Sequence, residues 1–375
     1  MHRLPLLIDK PPSEDRSAPA PLHEAHSADP ARADGGRLRP RDYVAYGAKL
    51  AYGMVTSRLL GRHRPLMVNI EPTHRCNLDC TYCDKVDAHS PQMETNAALR
   101  MIDELAALGT LSVCFDGGEP LVHPGIGALV RRAKSHGFRV SMSTNGLLIR
   151  RKLQVLDSVD VVKVSIDGPS HVHDAGRGAR SFEGAMEGVR LAVEAGCSVA
   201  IRMTLAEHNV AYYPDVIALA QELGIQALFQ PAIGNIMNGS APPAEHSASV
   251  AAYRAAIDDL MRRKGAGEPI GNEMLCLDHL RNWPDPKPVP FCSGGRIEVA
   301  IGPDGRMFPC GRTGRDDPDA PNVFEVGVEK AFEHVLRPTD CANCWCTLTV
   351  AACYLYRGDV RLLTGPLPRR PAALG

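Results

Sequence analysis

This sequence has almost no net charge, no long apolar run and no secretory signal. Lys+Arg number 42 against 43 Asp+Glu, a formal net charge of −1, so no basic field marks nucleic acid as a partner. No run of about 20 apolar residues is present, which excludes a membrane-spanning helix. The first 40 residues hold seven prolines and many charges without an apolar h-region. They do not read as a signal peptide, and the expectation is a cytoplasmic chain with reduced thiols.

What is present is enough for one large domain and a smaller one: 375 residues, 44% of them hydrophobic. Residues 1–40, rich in Pro, Ala, Ser and charge, read as a disordered tail. Tyr43, Tyr46, Leu50 and Met54 then stand at helical spacing, flanked by Arg41, Lys49, Arg58, Arg62 and Arg64. A basic amphipathic helix over 41–65 suits a membrane surface or a partner. The alternative is packing against the bottom or side of the next domain, favoured because Gly47 and Gly53 weaken it as a free-standing helix.

From 66 to about 232, short β-branched runs alternate with helical patterns. The runs 67–71, 111–115, 138–143, 161–166, 198–204 and 226–230 predict strands; 94–108, 124–136, 148–157, 181–195 and 211–223 predict helices. Such alternation gives a parallel sheet with right-handed crossovers, and active residues gather where its strands end.

Directly after the first of these strands comes Glu71-Pro-Thr-His-Arg-Cys-Asn-Leu-Asp-Cys-Thr-Tyr-Cys83. Three thiolates can hold an iron–sulfur cluster, and three leave one of its four irons open for chemistry. A zinc knuckle wants four ligands, and no fourth Cys or His stands at a suitable spacing near Cys83. A disulfide framework belongs to small secreted domains. The Cys76-x3-Cys80-x2-Cys83 run, with Tyr82 before its last cysteine, resembles the signature of radical S-adenosylmethionine (SAM) enzymes. That resemblance implies a partial (β/α)6 TIM-type barrel over 66–265. It further implies a [4Fe–4S] cluster whose open iron chelates SAM, and cleavage of SAM to a 5′-deoxyadenosyl radical that abstracts substrate hydrogen.

Four further stretches sit at strand ends. In Asp116-Gly-Gly-Glu-Pro120 the glycines allow close approach to the backbone, and Glu119 can accept a bond from an ammonium group. Gly117, Gly118, Glu119 and Pro120 are similar to the family's SAM amino-group motif. Ser143-Thr-Asn-Gly146 and Ser165-Ile-Asp-Gly168 are ordinary turn chemistry on their own. The resemblance assigns Ser143, Asn145, Ser165 and Asp167 to the ribose and Arg202 to the SAM carboxylate. Cys114 and Cys197 read as small buried hydrophobes, and His171, His173 and Arg177 as loop residues within reach of a substrate.

Beyond about 270 Pro and Gly rise and helical patterns vanish, and cysteines 276, 292, 310, 341, 344, 346 and 353 crowd into roughly 80 residues, a density that suggests metal. Phe291 to Cys310 reads as a β-hairpin turned at Pro303-Asp304-Gly305, which brings Cys292 and Cys310 together. Cys341 and Cys344 offer two more ligands in one turn. This pattern resembles the auxiliary-cluster extension of radical SAM enzymes, called SPASM in its two-cluster form and twitch in its one-cluster form. The run Cys341-x2-Cys344-x1-Cys346-x6-Cys353 departs from the full form. One auxiliary [4Fe–4S] cluster is therefore expected, on Cys292, Cys310, Cys341 and Cys344, with Cys346 or Cys353 as substitutes. Zinc is the alternative. The fold expected over 270–356 is a small cysteine-rich extension, a hairpin plus loops, with a frayed tail over 357–375.

These features imply an oxidoreductase. The favoured substrate is a ribosomal peptide or other natural-product precursor, oxidised or cross-linked. A lipid modified at the membrane surface and a small alcohol oxidised in the twitch manner are the alternatives. A flavodoxin- or ferredoxin-type electron donor is implied, and a separate peptide-binding protein would fit the peptide case. A non-catalytic cluster sensor has no use for the Gly117–Pro120 motif.

Overall fold

The computed structural model describes residues 40–359 except 84, 233–245, 286, 290, 312–316 and 337–343. Of the tails expected at 1–40 and 357–375, residues 1–39 and 360–375 lie outside the described residues, as does Cys341, while Pro40 begins one helix and Arg357 ends another. Eight strands form one sheet: β1 (Met67–Ile70), β2 (Ser112–Phe115), β3 (Arg139–Thr144), β4 (Val161–Ser165), β5 (Ser198–Leu205), β6 (Gln226–Pro231), β7 (Glu298–Ile301) and β8 (Met307–Phe308). Their order is β6-β5-β4-β3-β2-β1-β7-β8. The first six pair consecutively and in parallel. The sheet is the expected partial barrel, and β6 and β8 are its unclosed edges.

Helix α1 (Pro40–Leu60) precedes the sheet, and α2 (Thr95–Ala107), α3 (Ile126–Ser135), α4 (Ser170–Arg177), α5 (Ser181–Glu194) and α6 (Tyr213–Glu222) lie between its strands. Gly109 and Gly137, at φ of +87° and +79°, end α2 and α3 in left-handed turns that feed the next strand. The segment expected as a helix over 148–157 is a 3-10 run, Arg150–Ser158, kinked at Lys152. Only Val155 and Leu156 in it are buried, so little packing draws it into a full α-helix.

Strand alternation divides the sheet into two unlike faces. Val113, Phe115, Val140, Met142, Val162 and Val164 are buried in the same core as Ile102, Leu105, Leu129, Val189 and Ile217 from the helices. Each such side chain, fully buried, contributes about 1.5–3 kcal/mol. The other face carries Asn69, Ser112, Cys114, Ser141, Ser143, Lys163, Ser165 and Arg202, which line a cavity. A small closed barrel fills its interior with branched apolar side chains; this one keeps a polar hollow. Lys134 on α3 places Nζ 2.6 Å from both carboxylate oxygens of Asp160, which also accepts from Val140 N at 2.8 Å, clamping α3 to the start of β3 and β4.

Two C-terminal findings differ from expectation. The hairpin is present, but β7 runs parallel to β1 in the main sheet, Met67 opposite Glu298, and only β8 is antiparallel. The region that follows α7 (Val250–Gly265) is also helical: α8 (Met274–Leu280), α9 (Val323–Val326), α10 (Val328–Val335) and α11 (Thr347–Arg357). Helix α11, Thr-Leu-Thr-Val-Ala-Ala-Cys-Tyr-Leu-Tyr-Arg, has weak intrinsic propensity. It forms because Val350, Ala352, Cys353, Tyr354 and Tyr356 are buried. Helix α1 likewise tucks Leu50 and Met54 against Leu66, Ile297 and Tyr356, beneath the amino ends of β1 and β7.

Candidate active site

The cysteine loop is pinned at both ends by Glu71, which is fully buried. Its carboxylate accepts from Lys85 Nζ at 2.9 Å, and His74 Nε2 lies 2.8 Å from its second oxygen. The Gly-Gly-Glu segment runs beside the loop: Gly118 N donates to Thr73 O at 2.9 Å and Glu119 N to Arg75 O at 3.0 Å. A Cβ on Gly117 (φ +117°) would stand 2.4 Å from Thr73 O, and one on Gly118 2.4 Å from Arg75 O. The close neighbour of these glycines is therefore the cysteine loop's own backbone.

Cys76, Cys80 and Cys83 all line the cavity. Leu78 N donates to Cys76 Sγ at 3.4 Å, and Asn145 Nδ2, 3.8 Å from the same sulfur, donates to Asn77 Oδ1 at 2.8 Å. Burial pushes the Cys76 thiol up to about 12 and the Cys80 thiol to about 11, Arg177 partly offsetting the latter. Among the described residues no three His, Cys, Asp or Glu side chains converge as they would on a single metal ion; a four-iron cluster holds its thiolates farther apart. Three cavity-lining thiols with a guanidinium 3.9 Å from Cys80 Sγ fit an anionic thiolate cluster.

A buried knot ties this loop to β4, β5 and α4. Arg177 Nε donates to Asp167 Oδ2 at 2.6 Å, and its guanidinium stands 5.5 Å from the Tyr82 ring centroid. Tyr82 donates its hydroxyl proton to Asp167, and Thr204 N donates to Asp167 Oδ1 at 3.1 Å. Burial alone raises a carboxyl; here Arg177 and Tyr82 outweigh it and hold Asp167 below its ordinary value. His173 and Arg177, read from sequence as loop residues, face the same side of α4 at i, i+4 spacing, the signal that would have found them.

His173 Nδ1 accepts from Asp167 N at 3.2 Å, while its Nε2 is buried without a partner. Burial, and then Arg177, push it from 6.5 down to about 4. The unfolded chain binds a proton near pH 6.5 and the folded one only near 4. This contribution to stability is therefore complete above pH 6.5 and is lost on acidification toward 4, by about 3 kcal/mol at most. His173→Gln is predicted to flatten the fall of the unfolding temperature across that window; a slope equal to wild type would refute the assignment.

Glu119 is fully enclosed, accepting from Leu121 N at 3.0 Å, Thr144 Oγ1 at 2.9 Å and Asn145 N at 2.7 Å. Burial lifts its carboxyl to about 7 against those donors. Pro120 opens the short turn that follows. Ser143, Asn145, Ser165 and Arg202 line the cavity, and Ser143 Oγ is buried there without a partner. Ser165 and Arg202 are register neighbours. Cys114 lines the cavity too and does not behave as a buried hydrophobe, whereas Cys197 is fully buried in the core as expected.

The second cysteine group gathers under β7. A Cβ on Gly294 would lie 3.3 Å from Cys292 Sγ and 3.5 Å from Cys310 Cβ, so the hairpin does bring these two together. Cys353 Sγ accepts from Ser293 N at 3.2 Å, and its thiol is raised first by its hydrogen bond to Cys292. Burial raises Cys344, with Cys346 and Cys310 close enough to add to it. The cavity, about 1290 Å³, is lined by Cys76, Cys80 and Cys83 as well as by Cys346 and Glu298. Of the described residues of the second cysteine group, Cys346 is the member that borders it.

The family model described as the radical SAM superfamily matches residues 70–220. The chain is 31% identical over 258 residues to the mycofactocin maturase MftC of Mycobacterium ulcerans (strain Agy99), covering 67% of this chain and 69% of that protein. It is 33% identical over 166 residues to the AdoMet-dependent heme synthase of Oleidesulfovibrio alaskensis, covering 42% of each, so it spans less than half of that relative. The fold matches that of Streptococcus suis SuiB bound to precursor peptide SuiA with a TM-score of 0.59 at 14% identity, over 80% of this chain and 71% of that one. The thiolate triad after β1 and the likeness to the maturase along two thirds of both chains lead to one conclusion: this chain belongs to the radical SAM superfamily, enzymes that use a [4Fe–4S] cluster and SAM, and within it to the SPASM-type members that carry auxiliary clusters.

Proposed function

We propose that the chain oxidises or cross-links a ribosomal peptide, taking a hydrogen atom from it inside the cavity between the two cysteine groups. The observation that carries this reading is the shared hollow, lined by Cys76, Cys80 and Cys83 and by Cys346. When bound, the first cluster and SAM supply the 5′-deoxyadenosyl radical, and an auxiliary cluster supplies an acceptor for the electron a substrate radical gives up. In this reading Cys76, Cys80 and Cys83 hold the first cluster. Cys292, Cys310 and Cys344, with Cys341 and with Cys346 or Cys353 as substitutes, hold the second.

Arg202, whose guanidinium makes no hydrogen bond or ion pair among the described residues, receives the SAM carboxylate. Ser143, Asn145 and Ser165 face its nucleoside. Glu119 and Asp167, whose oxygens are occupied inside the barrel, act by fixing Asn145 and Tyr82. A flavodoxin- or ferredoxin-type donor and a separate peptide-binding protein go with this reading.

A peptide is favoured over a tetrapyrrole because likeness to the maturase runs over 258 residues and likeness to the heme synthase over 166. Co-expression with short peptides encoded beside its gene tests this. The expected product has lost two hydrogen atoms, and peptides recovered unchanged alongside 5′-deoxyadenosine would count against it.

A second reading has its own observation. The outer face of α1 exposes Val44, Tyr52, Val55 and Leu59 at 73, 67, 53 and 72%, an apolar strip suited to an anionic membrane surface near Arg58 and Arg62. Flotation with anionic liposomes, lost in Val55→Glu/Leu59→Glu, supports surface attachment; wild type remaining with the soluble fraction refutes it.

A further inference from the structure

Among the described buried cations, Lys163 is the exception in an otherwise well-paired set. Asp160 satisfies Lys134 and Asp167 satisfies Arg177. Lys163 is only 6% exposed, and among the described residues its ammonium has one partner, Cys114 Sγ at 3.4 Å. A buried ammonium without an anion is costly unless one arrives. Both residues line the cavity, and the carboxylates around them are committed or apart. Glu71 holds Lys85 and His74, and Glu298 accepts from Ser293 Oγ and Thr349 Oγ1. Asp116, two residues beyond Cys114 on the same wall, makes no ion pair with Lys163.

The register shows room for a ligand. Lys163 lies opposite Ser143 on β3 and Ala200 on β5, and Cys114 opposite Ser141. All four positions carry small side chains and line the hollow. They stand deeper than Arg202, which lies two register positions further along the sheet toward the cysteine loop. Arg202 therefore remains for SAM, and the second unpaired cation falls on the substrate side.

We propose that Lys163 anchors the substrate through a carboxylate, seated against its ammonium on the side open to the cavity and beside the Cys114 thiol. This rests on the peptide reading for the identity of the carboxylate, a chain end or an Asp/Glu side chain, but the anion site itself does not. The ammonium would draw a carboxylate to that floor and fix which substrate carbon lies beneath the nucleoside.

The test uses anaerobically reconstituted full-length protein and needs no turnover. Cys114 is alkylated with iodoacetate or with neutral iodoacetamide, and its labelling rate is read by mass spectrometry. The expected result is a rate ratio favouring the anionic reagent by roughly tenfold over that in Lys163→Met, with Lys163→Arg retaining the preference. Iron content and circular-dichroism spectra equal to wild type in both variants establish that they are folded. Protection of Cys114 by N-acetylalanine identifies a chain-end carboxylate, and protection by the α-amide of N-acetylglutamate a side-chain one. Equal rate ratios in wild type and Lys163→Met, no labelling of Cys114 by either reagent, or protection by neither compound overturns the proposal. Failure of the peptide reading alone would leave the labelling preference intact.

Discussion

Replacing Cys76, Cys80 and Cys83 together by alanine is expected to lower the iron content of reconstituted protein from about eight to about four per chain and to reduce 5′-deoxyadenosine formation to background. Cys310→Ala is expected to lose the other four irons, keep SAM cleavage and stop product formation. The difference follows from position: the triad follows β1, whereas Cys310 stands just past β8, at the end of the hairpin that begins at β7. Iron and sulfide analysis with Mössbauer spectra measures the first effect and product analysis the second. Equal loss of cleavage in both variants would make the second site a structural support, and zinc in place of its iron would remove the electron acceptor from the proposed mechanism.

Gly118→Ala is expected to be nearly as damaging, although it removes no ligand. The added methyl would stand 2.4 Å from Arg75 O and 2.5 Å from His74 O, both backbone atoms of the cysteine loop. A flexible side chain could swing aside; a main-chain carbonyl hydrogen-bonded to its neighbours has to take the loop with it. Overpacking of this kind costs about 1–3 kcal/mol. The stability loss is therefore moderate, while iron at the first site and SAM cleavage are expected to fall at least tenfold. Gly47→Ala is the control. Nothing lies within 4 Å of a Cβ there, and in α1 it is expected to add about 0.5–1 kcal/mol of stability with iron unchanged. Full iron loading and cleavage in Gly118→Ala would mean that the loop takes its shape from the cluster and not from the Gly-Gly contact.

The second cysteine group shows how far spacing carries and where it stops. The hairpin around Pro303-Asp304-Gly305 is legible because turn chemistry is local, and with it the approach of Cys292 and Cys310. That β7 would leave the hairpin's own company and pair with β1 is not legible, since a parallel pairing between residues 67 and 298 has no mark in either segment. Helix α11 was obscured for a related reason. Its residues are poor helix formers, and only burial against α8 and the underside of the sheet holds them in that form.

By itself the sequence determined the six βα units, the partial barrel, the thiolate triad after the first strand and the superfamily. Periods of 2 and 3.6 residues, cap glycines and short cysteine spacings are all written within a few positions of one another. Tertiary structure alone decided which face of each strand meets the hollow, and so made Cys114 a wall residue while Cys197 stayed in the core. It also joined Tyr82 to Asp167 across 85 positions, with Arg177 between them. A buried ion pair is fixed by the geometry of the space that encloses it, and residues so far apart in the chain share no local pattern that announces their meeting.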